Sequence, residues 1–218
     1  MALTDDEREW AAVASSLGVT ADRLLLVKQV HGIHAAVARV ARTAAWARPQ
    51  ADIIVTDDPS VAIGVRVADC AAVLLYDPVI GAAGAAHAGW RGTAAGASAA
   101  AVRALQQAFG SHPADLVAVI GPCLGACCGE VGPEVVEAFR AGGASISAID
   151  AWFAAGAGDR FFLDLERANL DQLTAAGLYP DAVFTSGMCT KTHRDRLHSY
   201  RGDGQAAGRI LGAIRIGR

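Results

Sequence analysis

One cysteine and two histidines stand where apolar runs give way to tight stretches of small residues. They are His31 in Lys28-Gln-Val-His-Gly32, Cys70 in Ala68-Asp-Cys70, and His87 in Ala86-His-Ala-Gly-Trp-Arg-Gly92. Loops leaving rigid strands are where binding groups usually sit. One thiolate and two imidazoles form a three-ligand set for zinc, with a fourth position open to water or substrate, as catalytic rather than structural zinc requires. Copper competes for the same nitrogen and sulfur donors. Ligands this scattered obey no local spacing rule. A second reading, a buried core thiol with two hydrogen-bonded turn histidines, ranks ahead on residue types alone.

The neighbours of these residues suggest further roles. Asp69 could orient a ligand imidazole, act as a general base, or simply cap a turn. Arg91 lies just before the expected start of a long helix at Thr93, where a guanidinium and free backbone N–H groups suit a phosphate; pairing with Asp69 is the alternative. Gln29 could hydrogen-bond a bound ligand, unless it faces away from His31. Trp90 and Tyr200 could stack on an aromatic ring. Cys123, Cys127 and Cys128 match no zinc-ribbon spacing, and adjacent cysteines on a regular backbone point apart. They read as small residues of a packed loop, with Cys123 the one expected to line the site.

Elements must position these groups. Thr4 and Glu7 form a capping box for a helix to about Ser16, closed by Gly18. Strand-like runs follow at Leu24–Val30, His34–Val40, Ala51–Thr56, Val61–Val67, Ala72–Tyr76 and Gly81–Ala86, several of them β-branched or wholly apolar. Thr93–Phe109 reads as one long helix and Leu116–Ile120 as a strand. Pro133 starts a helix to about Arg140, and Asp164 caps another to about Ala176. Ala182–Thr185 and Ile210–Ile216 close the list of strands. Hairpin spacing early and helix crossovers later predict an α/β protein of the α+β type with mixed sheets. The 218 residues read as one domain, with no repeat or linker.

Composition sets outer limits. A hydrophobic fraction of 53% suits a packed core, and a net charge of −3 with no basic stripe argues against nucleic acid as a partner. The longest charge-free stretch, Leu116–Gly129, contains Pro122 and several glycines, whereas a membrane span needs about 20 apolar residues. The acidic N-terminal segment lacks the features of a signal peptide, so a cytoplasmic protein with reduced thiols is expected, as a monomer or homodimer.

Taken together, the motifs carry a resemblance. Gln-Val-His-Gly, Ala-Asp-Cys and His-Ala-Gly-Trp-Arg-Gly are followed by Ile120-Gly-Pro-Cys-Leu-Gly-Ala-Cys-Cys-Gly-Glu-Val-Gly132 and Leu163-Asp-Leu. Ala168-Asn169, Gln172-Leu173, Cys189-Thr190, His198-Ser-Tyr-Arg201 and Gly208-Arg209 complete the series. In order from about residue 23 to the C-terminus, the chain resembles the laccase-domain, or polyphenol-oxidase-like, proteins described as zinc-dependent purine nucleoside phosphorylases. The resemblance implies metal ligation by His31, Cys70 and His87, and a four-layer α/β/β/α sandwich with the site at the sheet ends. It also implies phosphorolysis of adenosine, inosine, guanosine and methylthioadenosine, with deamination of adenosine. Cys70, Asp69 and Arg91 are then the expected catalytic set, and Gln29, Arg91, Cys123 and Tyr200 the substrate contacts.

This sequence departs from the family pattern in places. Family members usually begin with a further strand carrying an Arg and a Gly-Gly-Val-Ser-like turn, and this sequence starts with the helix that follows. Ala-Asp-Cys-Ala-Ala replaces Ala-Asp-Cys-hydrophobic-Pro, Cys-Cys-Gly-Glu replaces Cys-Cys-Tyr-Glu, and Ser-Tyr-Arg-Gly-Asp-Gly lacks the second Arg of a usual pair. The laccase label meets a physical objection. A multicopper oxidase needs on the order of ten imidazoles, largely in His-x-His pairs, and this chain has six histidines and no such pair. Copper-dependent phenol oxidation at a single ion, and a non-catalytic zinc-binding accessory role, are the alternatives to the phosphorylase.

Overall fold

A computed structural model of the chain describes residues 7–39 and 46–217. Thr4 of the capping box and Val40 at the end of one expected strand lie outside them. Helix α1 (Glu7–Ser16) leads into β1 (Leu24–Leu26), β2 (Ala35–Ala38), β3 (Ile53–Thr56), β4 (Ala62–Val67), β5 (Ala71–Asp77) and β6 (Ala82–Ala88). Next come α2 (Trp90–Ala94), α3 (Ala97–Phe109), β7 (Val117–Ile120), β8 (Glu130–Val131), α4 (Pro133–Ala141), α5 (Ile146–Trp152), β9 (Phe153–Ala155) and β10 (Phe161–Leu163). The chain ends with α6 (Leu165–Ala175), β11 (Val183–Thr185), α7 (Tyr200–Asp203) and β12 (Ile210–Arg215).

The strands form a mixed six-stranded sheet, order β11-β7-β5-β6-β3-β2, and two three-stranded sheets, β1-β4-β12 and β8-β10-β9. Strand alternation assigns each face of the six-stranded sheet to a separate core. On β3, Ile53 and Val55 join the helices α3, α4 and α6, whereas Ile54 joins Leu25, Ile63 and Val65 of the β1-β4-β12 sheet. On β6, Ala86 and Ala88 face the helices, and Ala83 and Ala85 face the second sheet. Trp10, Val13 and Ala14 of α1 cover the far side of that second sheet through Leu24, Leu26 and Ala62. The order of layers is therefore helix, sheet, sheet, helices. No helix among the described residues is long and apolar enough to cross a membrane.

The expected helix Thr93–Phe109 is a helix pair instead. Gly96, with φ of 84°, occupies the left-handed region and separates α2 from α3. A buried amide holds the bend in place. Asn169 on α6 donates to Thr93 Oγ1 (3.1 Å) and accepts from Ser98 Oγ (2.7 Å), while Gln172 donates to the Thr93 carbonyl (2.6 Å). These contacts fix α2, and hence Trp90 and Arg91, against the helical layer. Also absent from the sequence reading are the small β8-β10-β9 sheet and α5, whose segments are too short to show periodicity.

Because a left-handed residue with a Cβ costs about 1–2 kcal/mol, Gly96→Ala should lower stability by about 1 kcal/mol in a denaturant titration. A variant as stable as the parent would show that the α2–α3 bend is not under this constraint.

Candidate metal centre

The three candidate ligands converge at the edge of the seam between the two large sheets. His87 is on the β6 face that carries Ala83 and Ala85, directly opposite Asp52, and His87 N donates to the Asp52 carbonyl (2.7 Å). Cys70 ends the connection from β4 in one sheet to β5 in the other, a turn that Asp69 makes with φ of 83°. His31 adopts φ of 62° in the loop between β1 and β2. One donor atom from each of His31, Cys70 and His87 lies within 4.8 Å of the others. The two imidazoles meet edge-on, with ring centroids 4.7 Å apart. The scattered sequence positions are thus brought together, with Cys70 only half-buried and His87 inside a strand rather than a turn.

One side chain that sequence reasoning missed organises the cluster. Asp52 is fully buried, and its carboxylate accepts from the backbone N–H groups of Val30 (3.2 Å), His31 (2.9 Å) and Gly32 (2.7 Å). The same carboxylate lies 2.8 Å from His87 Nδ1. It therefore pins the loop that carries one ligand and leaves Nε2 of the other free for an ion, the outer partner a metal-bound imidazole requires. Its only sequence signal was a carboxylate heading an apolar strand, which reads equally well as a turn residue.

The electrostatics follow from these contacts. Burial pushes the Cys70 thiol up, but the His31 and His87 imidazoles outweigh it and bring the thiol down to about 7. Burial opposes protonation of His87, yet Asp52 and Cys70 raise its pKa to about 9. Asp52 is held below its usual range despite burial, chiefly by His87 and the Gly32 N–H. The contacts thus favour the thiolate form of Cys70 and the protonated form of His87 together. Gly89 keeps the space open: a Cβ there would lie 2.6 Å from Cys70 Sγ and 3.4 Å from the His31 ring.

All three ligands line a cavity of about 630 Å3, within the range of small-molecule sites. Its other walls include Lys28, Arg66, Arg91, Arg201 and Arg209 as cations, Asp69 as the acid, and Trp90 and Tyr200 as aromatics. Arg91 lies over the Trp90 ring, 4.1 Å from its centroid. It stands inside the short α2 rather than ahead of a long helix, so its claim on an anion rests on the guanidinium and not on a helix end. Three expected roles need correction. The Gln29 amide is tied to the Arg66 backbone, donating to its carbonyl (2.7 Å) and accepting from its N–H (2.9 Å), so it braces β4 before it can serve a ligand. The Asp69 oxygens accept from Thr190 Oγ1 (2.6 Å) and Arg201 N (2.5 Å), which makes this residue a brace of the wall rather than a free base. Cys123 is a buried free thiol outside the cavity lining, its backbone paired with that of Cys189, and burial raises its pKa strongly. Arg201 and Arg209 were legible only as parts of the late motifs. Gly129 lies so close to the Leu163 carbonyl that a Cβ would sit 2.6 Å from it.

Asp52→Ala should weaken divalent-metal binding about 10–100-fold, read by chelator competition, and cost about 3 kcal/mol of stability by orphaning its donors. The lowered pKa fixes the sign of the pH effect: Asp52 stabilises the fold above its unfolded pKa of about 3.9, and this is lost as pH falls further. The variant should therefore show a shallower loss of stability than the parent below about pH 4. Gly89→Ala should abolish metal binding while leaving the far-ultraviolet circular dichroism unchanged. Unaltered metal affinity in both variants would refute this account of the cluster.

Comparison with known proteins places this geometry in context. Residues 5–217 match the family model described as multi-copper polyphenol oxidoreductase laccase. The chain is 33% identical to a protein of Geobacillus stearothermophilus named purine nucleoside phosphorylase YlmD, over 97% of this chain and 78% of that one. It is 38% identical to a Streptomyces coelicolor protein named purine nucleoside phosphorylase SCO2081, over 92% and 78%. A Bacteroides thetaiotaomicron purine nucleoside phosphorylase is 36% identical over 76% of this chain, which spans 60% of that relative's length. Among solved structures, Bacillus licheniformis hypothetical protein YfiH superposes with a TM-score of 0.90 at 30% identity, covering 97% of this chain and 80% of that one. The G. stearothermophilus YlmD structure gives 0.85 at 30% identity, with the same coverage. With its match running almost end to end, the chain belongs to the multi-copper polyphenol oxidoreductase laccase family.

Proposed function

We propose that the chain is a zinc-dependent purine nucleoside phosphorylase, acting on adenosine, inosine, guanosine and methylthioadenosine, with adenosine deamination as a side activity. The observation that carries the reading is the open His31–Cys70–His87 cluster at one wall of a cavity that holds five cationic side chains and one carboxylate. Two imidazoles and one thiolate suit zinc, and an ion held there would supply a Lewis acid and lower the pKa of a bound water to about 7. The relatives that carry the phosphorylase name support purine nucleosides and phosphate as the substrate class.

In phosphorolysis a phosphate oxygen attacks C1′ of the ribose, and the C1′–N9 bond breaks with its electrons leaving on the purine, which takes up a proton. Positive charge develops on the ribose, so a fixed anion beside it lowers the barrier. Arg91 is the residue assigned to that anion: it is exposed on the cavity wall and held at a fixed height by Trp90. Tyr200, also exposed on the wall, offers its face to the base. Asp69 acts by position, holding the α7 turn that carries Tyr200 and Arg201 through the Arg201 N–H. The cavity's positive walls raise the local concentration of phosphate.

Adenosine with phosphate should yield adenine and ribose 1-phosphate, and His87→Ala should abolish the reaction. Arg91→Ala should raise the KM for phosphate more than tenfold while leaving zinc content unchanged. Inosine appearing in the absence of phosphate would report the deaminase activity. Negligible base release by zinc-loaded wild-type protein would overturn the reading.

A further inference from the structure

A second cluster of side chains that could hold a metal ion adjoins Gly129 of the cavity wall. Cys127, Cys128 and Cys189 bring their three sulfur atoms within 4.8 Å of one another, with Cys127 Sγ and Cys128 Sγ 3.6 Å apart. On a regular backbone adjacent cysteines diverge. Here a turn follows Gly125, so the two sulfurs lie on one side. Cys127 is exposed, Cys128 half-buried and Cys189 buried, which places the cluster at the surface with one inner ligand. Among the described residues no carboxylate or imidazole joins the group.

Backbone N–H groups of Gly125, Lys191 and Thr192 are donors to the inner sulfur, Cys189 Sγ. Such donors orient a sulfur and spread its charge, as the outer partners of a metal ligand do. The loop is built tightly around the group: an added Cβ at Gly125 would lie 3.1 Å from Cys189 Cβ and 3.7 Å from Cys127 Sγ. A parallel bridge between Cys123 and Cys189 and the Thr190 N–H to the Cys123 carbonyl (2.9 Å) hold the two segments together without any ion.

We propose that Cys127, Cys128 and Cys189 form a second metal site, a three-sulfur site for a soft monovalent cation of the Cu(I) type. Three thiolates with no nitrogen or oxygen partner satisfy trigonal Cu(I), whereas zinc favours four donors and is better served by the mixed nitrogen–sulfur set of His31, Cys70 and His87. The two sites would then sort ions by softness. On binding, each thiol still protonated gives its proton to water, and no electron is transferred. The site also touches the cavity: Thr190, next to Cys189, donates to Asp69, and Arg201 donates to the Cys128 carbonyl (3.3 Å). An ion there would stiffen the wall that carries Tyr200 and Arg201. The proposal stands independently of the phosphorylase reading.

Anaerobic titration of the Cys70→Ser protein with Cu(I), against a chromophoric Cu(I) chelator, isolates this cluster from the first. One equivalent should bind, and adding Cys127→Ser or Cys128→Ser should weaken it at least 100-fold. Both residues have solvent access, so these substitutions should leave the circular dichroism unchanged; Cys189→Ser, at the buried position, should have the same effect on affinity where the fold is retained. Failure of the Cys70→Ser protein to take up Cu(I), or equal affinity with and without Cys127, overturns the proposal. So does a disulfide within the cluster that persists under reductant and blocks the ion.

Discussion

The site depends on one buried carboxylate. Asp52 meets four donors from two segments: three successive N–H groups of the His31 loop and the His87 imidazole. Taking a carboxylate out of water is costly, and only a full set of partners offsets it. The fold supplies that set by placing Asp52 at the head of β3, opposite His87 on β6, on the face turned toward the second sheet. Removing the carboxylate would leave a ring without orientation and a loop without an anchor. This explains how a residue such as His31, exposed and in a left-handed conformation, can be held ready as a ligand.

Sheet geometry decides where the cluster can form. The two large sheets share the core of Leu25, Ile54, Ile63 and Val65, and the connection at Ala68–Cys70 carries the chain from one sheet to the other. Cys70 therefore arrives at the end of the seam, while His87 reaches it from within β6. Gly89 completes the arrangement by having no side chain to fill the space beside the sulfur. The helical layer contributes from the other side: Asn169 and Gln172 hold α2, which presents Trp90 and Arg91 to the cavity. Family motifs that look catalytic in the sequence thus divide into ligands and clamps.

The polar wall is braced in the same way. Asp69 ties Thr190 and the first turn of α7 to the Cys70 turn, and Arg201 reaches back to the carbonyls of Cys128 and Glu130. Segments distant in sequence are so joined into one surface around the cavity.

Much of the fold was legible in the sequence because apolar, β-branched runs have one stable use, as buried strands. The expected strands at Val61–Val67 and Ala72–Tyr76, and the Asp164-capped helix, form nearly as read. The His31, Cys70 and His87 set was legible only through motif resemblance; residue types and spacing alone favoured a different reading. What the sequence by itself determined was which segments alternate, which are apolar and where glycine permits a turn, because these depend on local chemistry. Only the tertiary structure decided that Asp52 would orient His87, that Gln29 and Asp69 would spend their polar atoms on the backbone and Thr190, and that Cys127 and Cys128 would face Cys189. Each of these depends on contacts between segments far apart in the chain, and such contacts exist only once the two sheets have packed.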